Sequence, residues 1–269
     1  MGDNDVDFVT IRRRRQNDSK RDVDPYGHLK ARFEKFFSIV AKDPFFKLIA
    51  HTVVENSTKL THIRCLALGN LATDSSAFFQ LCLLKYLQDY LIGDIDVSVY
   101  DPVFDDLDVQ FLQDYLHYKV EKEYSLDNHL VDQVLFFMPH ALYSTIEDIV
   151  REVKPLNLLT NNVVKYSYNH SDAENLRKIP NCATIAHLVT TDQGFKASVG
   201  DSDGGFKVVT RRKPGKRMSS KAFIPPTLDY HLESRYFSSV YSKVFSDPSS
   251  NIWNNAFSDL AFIRLFKRQ

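Results

Sequence analysis

The sequence predicts an α/β fold in which a mostly parallel sheet carries helices on both faces. Three observations lead there. The apolar run Ile63 to Leu68 halts at Gly69, passes through a short polar loop and restarts as a helix at Ser75, the strand-loop-helix unit that opens such domains. Further apolar runs at Ile95 to Tyr100, Val134 to Met138 and Leu156 to Leu159 alternate with helical segments about every 25 to 40 residues, which implies parallel crossovers. The first run does not alternate, as expected of a strand covered on both faces. The whole pattern is Rossmann-like and doubly wound.

The elements follow in order. Residues 1–28 are polar and charged, contain the block Arg12 to Arg15 and end in the turn-like Asp24-Pro25-Tyr26-Gly27. Such a segment buries too little apolar surface to offset its ordering entropy, so a disordered basic tail is expected there. From Leu29 to about Asn56, Phe33, Phe36, Phe37, Val40, Phe45, Phe46 and Ile49 recur at helical spacing, with a break at Asp43-Pro44. After the first strand, Asp74 or Ser75 supplies a cap for a helix that runs to about Leu91 with almost no charge before Lys85. The second strand ends in a carboxylate at Asp101-Pro102. Phe111 to Leu116 reads as a helix, Tyr118 to Glu123 as a strand, Val134 to Met138 as a strand closed by Pro139-His140, and Tyr143 to Val150 as a helix. Beyond Tyr168 the pattern degrades. Thr190 to Pro226, with Asp201-Ser-Asp-Gly-Gly205 and the basic stretch Arg211 to Arg217, reads as a mobile insertion at 190–226. A helix is expected around Tyr230 to Phe245, and Leu260 to Phe266 closes a single domain spanning 29–269 as a strand.

Composition excludes several classes. The chain has 269 residues, 43% of them hydrophobic, with 34 basic and 34 acidic side chains. A net charge of zero gives the molecule no overall attraction to nucleic acid or an anionic membrane, and without stacking aromatics between the basic residues sequence-specific nucleic-acid recognition is not expected. No apolar run approaches the roughly 20 residues a membrane helix needs. Cys65, Cys82 and Cys182 are far apart, and two of them sit in apolar runs, which fits a reducing, cytoplasmic or nuclear compartment. The basic segments 12–15 and 211–217 are candidates for an import receptor or for phosphates, or are solvated tails.

Specific residues carry a family resemblance. Ile63-Arg-Cys-Leu-Ala-Leu-Gly-Asn-Leu71 with Ser75-Ser76 and Gln80-Leu81, Tyr100-Asp-Pro-Val-Phe104, Leu135-Phe-Phe-Met-Pro-His140 with Leu142-Tyr143, Phe8 to Arg13 and Asn255-Ala-Phe-Ser-Asp-Leu260 together resemble the SRR1-like family. The length and basic insertion are similar to fungal members, among them the budding-yeast benomyl-resistance protein. The resemblance implies a regulatory protein, with light and clock signalling in plants, haem and clock-gene regulation in animals and microtubule-linked growth in yeast. It implies a protein partner and assigns no catalytic residue.

Candidate site residues come from the strand ends. Ligands of open α/β sheets sit outside the carboxyl ends of the strands, where a helix N-terminus offers free amides. Gly69, Asn70, Ser75 and Ser76 are therefore candidate nucleotide or S-adenosylmethionine contacts, or a structural turn, since the other glycines of the dinucleotide fingerprint and the Walker lysine are missing. Asp101 is placed to hold ribose hydroxyls, or to initiate a turn, and lies farther from Gly69 than the about 20 residues of that fingerprint. His140 is the candidate general base, or a histidine bonded to a neighbouring loop. No His-x-x-x-His or Cys-x-x-Cys occurs, so a metal site is not expected.

Overall fold

The computed structural model describes residues 24–123, 131–192, 228–245, 252–253 and 255–268. The expected tail up to residue 23 and the expected insertion from residue 193 onward, with both basic blocks, lie outside the described residues.

The fold is mixed α/β, with a seven-stranded, mostly parallel sheet. Its strands are β1 (His62–Leu66), β2 (Asp96–Tyr100), β3 (Lys119–Val120), β4 (Val134–Met138), β5 (Asn157–Asn161), β6 (Phe237–Val244) and β7 (Leu260–Lys267). They lie in the order β3-β2-β1-β4-β5-β7-β6. β1 pairs parallel with β2 and β4, β2 with β3, and β4 with β5, whereas β7 runs antiparallel to both β5 and β6. The described helices are α1 (Pro25–Val40), α2 (Pro44–Asn56), α3 (Ser75–Tyr90), α4 (Asp106–Gln110), α5 (Tyr143–Glu152), α6 (Val163–Ser167), α7 (Asp172–Lys178) and α8 (Pro180–Asp192).

Alternate strand residues divide the core into two halves. Ile63, Cys65, Val97, Val99, Leu135 and Phe137 face α1, α2, α3 and the π-helical turn Phe111–Tyr115. Leu66, Phe136, Met138, Leu158, Ile263 and Leu265 face α5, α6 and α8. The first half is aromatic: Phe33 meets Phe111 at 5.7 Å and Phe36 stacks on Phe79 at 4.4 Å. Burying each such ring contributes on the order of 1.5–3 kcal/mol.

Local chemistry sets the element boundaries. Asp43 accepts the Phe45 amide at 2.8 Å and Pro44 occupies the first helical position, so the break at this dipeptide is the start of α2. The same arrangement recurs at Asp24-Pro25, where Asp24 accepts the Gly27 amide at 3.0 Å. Residues 25–28, expected as a turn at the end of the tail, are therefore the first turn of α1. A second correction concerns Tyr230 to Phe245, expected as a helix. It contains a 3₁₀ turn, Leu232–Ser234, and then β6, because the apolar Phe237 and Val240 pack on the sheet through pairing with β7 and long-range pairing outweighs local period. The chain beyond Tyr168, expected to lose regularity, forms α7 and α8.

Candidate functional site

Because β2, β1 and β4 are parallel neighbours, their carboxyl ends share one edge of the sheet. The chain leaves β1 through two left-handed residues, Ala67 (φ 56°) and Gly69 (φ 91°). Glycine is required at the second: a Cβ there would sit 3.3 Å from the Ala77 methyl in the first turn of α3. Ala67 holds a conformation that non-glycine residues adopt at a cost of about 1 kcal/mol or more. No sequence signal distinguishes it from its neighbours.

Polar groups of the chain itself fix the loop. Asn70 Oδ1 accepts the Thr73 amide at 2.9 Å and the Thr73 hydroxyl at 2.8 Å. Asp74, rather than a serine, caps α3 by accepting the Ser76 amide at 2.7 Å. Arg32 of α1 donates to the Leu71 and Ala72 carbonyls at 3.1 and 3.2 Å, with its guanidinium over the Phe78 ring at 4.3 Å. Ser75 and Ser76 are half-buried in the first turn.

Asp101, at the end of β2, reaches the same loop. Its Oδ2 accepts the Gly69 amide at 2.8 Å and its Oδ1 accepts the Val103 amide at 3.0 Å. The structure thus brings Asp101 and Gly69 together and shows the carboxylate clasping one loop to the next. Each oxygen retains acceptor capacity for a further donor. Behind it, Asp105 and Asp108 form a reciprocal capping box for α4, with the Asp108 amide donating to Asp105 at 2.8 Å. Asp108 is fully buried, and burial, reinforced by the charges of Asp105 and Asp101, raises its carboxyl to about 6 against the pull of nearby backbone amides.

His140 follows β4 on the same edge and keeps part of its ring open to solvent. Burial of the remainder lowers its pKa, opposed by the charges of Asp259 and Asp74. Asp259 immediately precedes β7, and Asp74 is the cap of α3. Two bonds hold that far side: Asp259 O accepts the Asn162 amide at 2.7 Å, and Asn161 Nδ2 donates to Ala141 O at 2.9 Å. Tyr143, the first residue of α5, stacks on Tyr166 at 3.7 Å and places its hydroxyl 3.3 Å from Asn162 O. Burial, and then the charge of Asp259, raises the Tyr143 phenol.

Arg32, Asp108, Tyr143, Asn161 and Asp259 are absent from the candidate site residues read from the sequence, although Tyr143 and Asp259 lie in stretches that carry the family resemblance. Asp259 reaches the site because the last strand is antiparallel and so begins at the edge where the parallel strands end. That insertion has no signature in local hydropathy. The run Phe136-Phe137-Met138 is wholly buried and takes no part. A separate cavity of about 290 Å³, lined by Tyr168, Asp172, Asn175, His187 and Tyr230 among others, contains none of these residues. Among the described residues no helix is long and apolar enough to cross a membrane.

Fold and site together define an α/β domain whose parallel strands β1, β2 and β4 end on one sheet edge, where Gly69, Asp101 and His140 follow them. A family model described as the SRR1 domain matches residues 29–264, nearly all of the described structure. The chain belongs to the SRR1 family. A search of curated proteins finds no match.

Proposed function

We propose that this chain is a regulatory protein whose Rossmann-like, doubly wound domain binds a small ligand in the carboxyl-edge crevice and passes that state to a protein partner in the cytoplasm or nucleus. The observation that carries the reading is the clasp between Gly69 and Asp101 across the ends of β1 and β2, beside β4. The strand order reverses direction between β1 and β4, on the other side of β1 from this clasp, and such a switch point is where open α/β sheets bind nucleotides. Growth, microtubule, haem or clock regulation are the processes that family membership favours, and the basic segments 12–15 and 211–217 are suited to an import receptor or to phosphates.

A second reading is favoured by one specific feature. The order β3-β2-β1-β4-β5-β7-β6, with an antiparallel last strand inserted beside β5, is the sheet order of S-adenosylmethionine-dependent methyltransferases. The warrant is fold-level analogy. On this reading Gly69, Asn70, Ser75 and Ser76 contact the cofactor, Asp101 receives ribose hydroxyls, and His140 stands as general base at the substrate side.

A thermal-shift panel of S-adenosylmethionine, ATP and NAD tests the ligand-binding core of both readings. A ligand that binds only the folded chain at 100 times its Kd stabilises it by about 2.7 kcal/mol, several degrees in melting temperature. At least one panel member should raise the wild-type melting temperature and fail to raise that of Asp101→Ala. A flat response from the wild-type chain would remove the crevice reading.

A further inference from the structure

Independently of the carboxyl-edge reading, we propose that the cavity lined by α7, α8, the end of α6 and Tyr230 receives the guanidinium of an arginine side chain presented by a protein partner.

The cavity holds about 290 Å³. Small-molecule sites run to roughly 300–1,000 Å³, so this one suits a single long side chain better than a nucleotide. Its walls are aromatic. His187 of α8 stacks flat on Tyr230 at 3.9 Å, and Tyr168, which follows α6, lines the cavity while 72% exposed. A tyrosine ring standing in solvent beside a cavity is the composition of a protein–protein anchor point.

The polar lining is biased toward acceptors. The hydroxyls of Ser167 and Thr190 donate to backbone carbonyls, at 2.7 Å to Val164 O and 2.9 Å to His187 O, so toward a guest they can only accept. Asn175 is 2% exposed, and its Nδ2 donates to Ser167 O at 2.8 Å. A carbonyl can only accept, so this bond fixes the amide and leaves Oδ1 as its acceptor. Asp172 stands three residues earlier on α7 and therefore on the same helix face. It is the one carboxylate of a lining that has no lysine or arginine. Among the described residues Asp172 forms no ion pair, whereas nearby Glu174 is matched by Lys178 at 2.7 Å. Burial, and then the charge of Asp172, raises the Tyr230 phenol, so the field of this carboxylate reaches the stacked rings.

A guanidinium answers these features together. It is planar and stacks on tyrosine, its five donors form a fixed fork for the Asp172 carboxylate and Asn175 Oδ1, and it carries the positive charge that the lining lacks. Other occupants meet only some of them. An ammonium has the charge without the plane, a nucleobase has the plane without the charge, and a phosphate would face Asp172 with no cation in the lining to pair it.

Nuclear magnetic resonance titration of the labelled full chain tests this with four probes: N-acetyl-arginine methylamide, the same capped form of citrulline, free arginine, and guanosine. Citrulline keeps the planar N–H donors and loses the charge. Capped arginine should shift the amides of Tyr168, Asn175, His187 and Tyr230 with a Kd on the order of 1 mM, as expected of one anchor side chain. It should bind at least about tenfold more tightly than capped citrulline. Asp172→Asn changes an exposed position outside the α7 cap, which Ser171 makes, and should abolish that preference. Capped citrulline binding as tightly as capped arginine, a preference that survives Asp172→Asn, or no shift at these residues at about ten times that concentration would overturn the assignment. Free arginine or guanosine binding more tightly than capped arginine would overturn the protein partner as its source. None of these results bears on the carboxyl-edge reading, which the thermal-shift panel tests separately.

Discussion

At the level of single residues, the carboxyl edge is organised by side chains whose backbone partners matter as much as their charges. Asp101 shows this most clearly, since the carboxylate that ends β2 holds the Gly69 amide and so joins two loops that are far apart in sequence. Gly69, Asp101 and His140 were legible because each punctuates an apolar run. Asp108 was not, because nothing in Asp105-Asp106-Leu107-Asp108 says which carboxylate becomes buried. Its environment gives a pH signature. The folded-state carboxyl is raised from 3.8 to about 6, so the folded chain binds a proton where the unfolded chain does not. The resulting destabilisation is fully present above the folded value, shrinks as pH falls through it, and vanishes below the unfolded value. Asp108→Asn keeps an acceptor for the Asp105 amide and removes the buried charge. Chemical denaturation should therefore show the variant more stable than wild type by about 1–3 kcal/mol at neutral pH, with the advantage gone near pH 4. A variant that is less stable at neutral pH would mean that the carboxylate is better compensated than its burial implies.

At the level of elements, the strand-loop-helix from β1 to α3 and the strands β2, β4 and β5 followed from their apolar runs. Their caps also followed, in part, from Asp and Pro punctuation. What escaped was the structure between Tyr168 and β7. β6 alternates imperfectly, as Phe237-Ser-Ser-Val240 with a register shift between Phe237 and Ser239, and its identity depends on pairing with a strand more than 20 residues onward. The segment before β7 is held by burial. Trp253 is wholly buried against Phe46 at 5.0 Å and Phe79 at 6.1 Å, and Gln80 Nε2 donates to Ala256 O at 3.0 Å. This anchoring sets Asp259 beside the ends of β4 and β5. Trp253→Ala should cost about 3–5 kcal/mol in urea unfolding. It should also weaken ligand binding, because the element carrying Asp259 loses its anchor. A loss below about 1 kcal/mol would show that the segment is positioned by something other than this indole.

At the level of the whole molecule, the parallel core decides which residues the carboxyl edge of the sheet carries. Parallel pairing of β1 with β2 and β4 puts three loop-starting residues on one edge, and the antiparallel β7 delivers a fourth group, Asp259, to the same edge from the end of the chain. The class of sheet was readable from alternating strands and helices, because each crossover is local. The strand order was not, because it is decided by which apolar faces meet.

The most direct test is amide chemical-shift mapping of the isotopically labelled full chain on titration with S-adenosylmethionine. The account predicts perturbations concentrated in 69–76, 101–104 and 140–143 and at Asp259, with little change at the opposite edge of the sheet around Thr61, Ile95 and Gln133. Perturbations confined to the cavity around Tyr168, His187 and Tyr230, or none at a saturating ligand concentration, would contradict it.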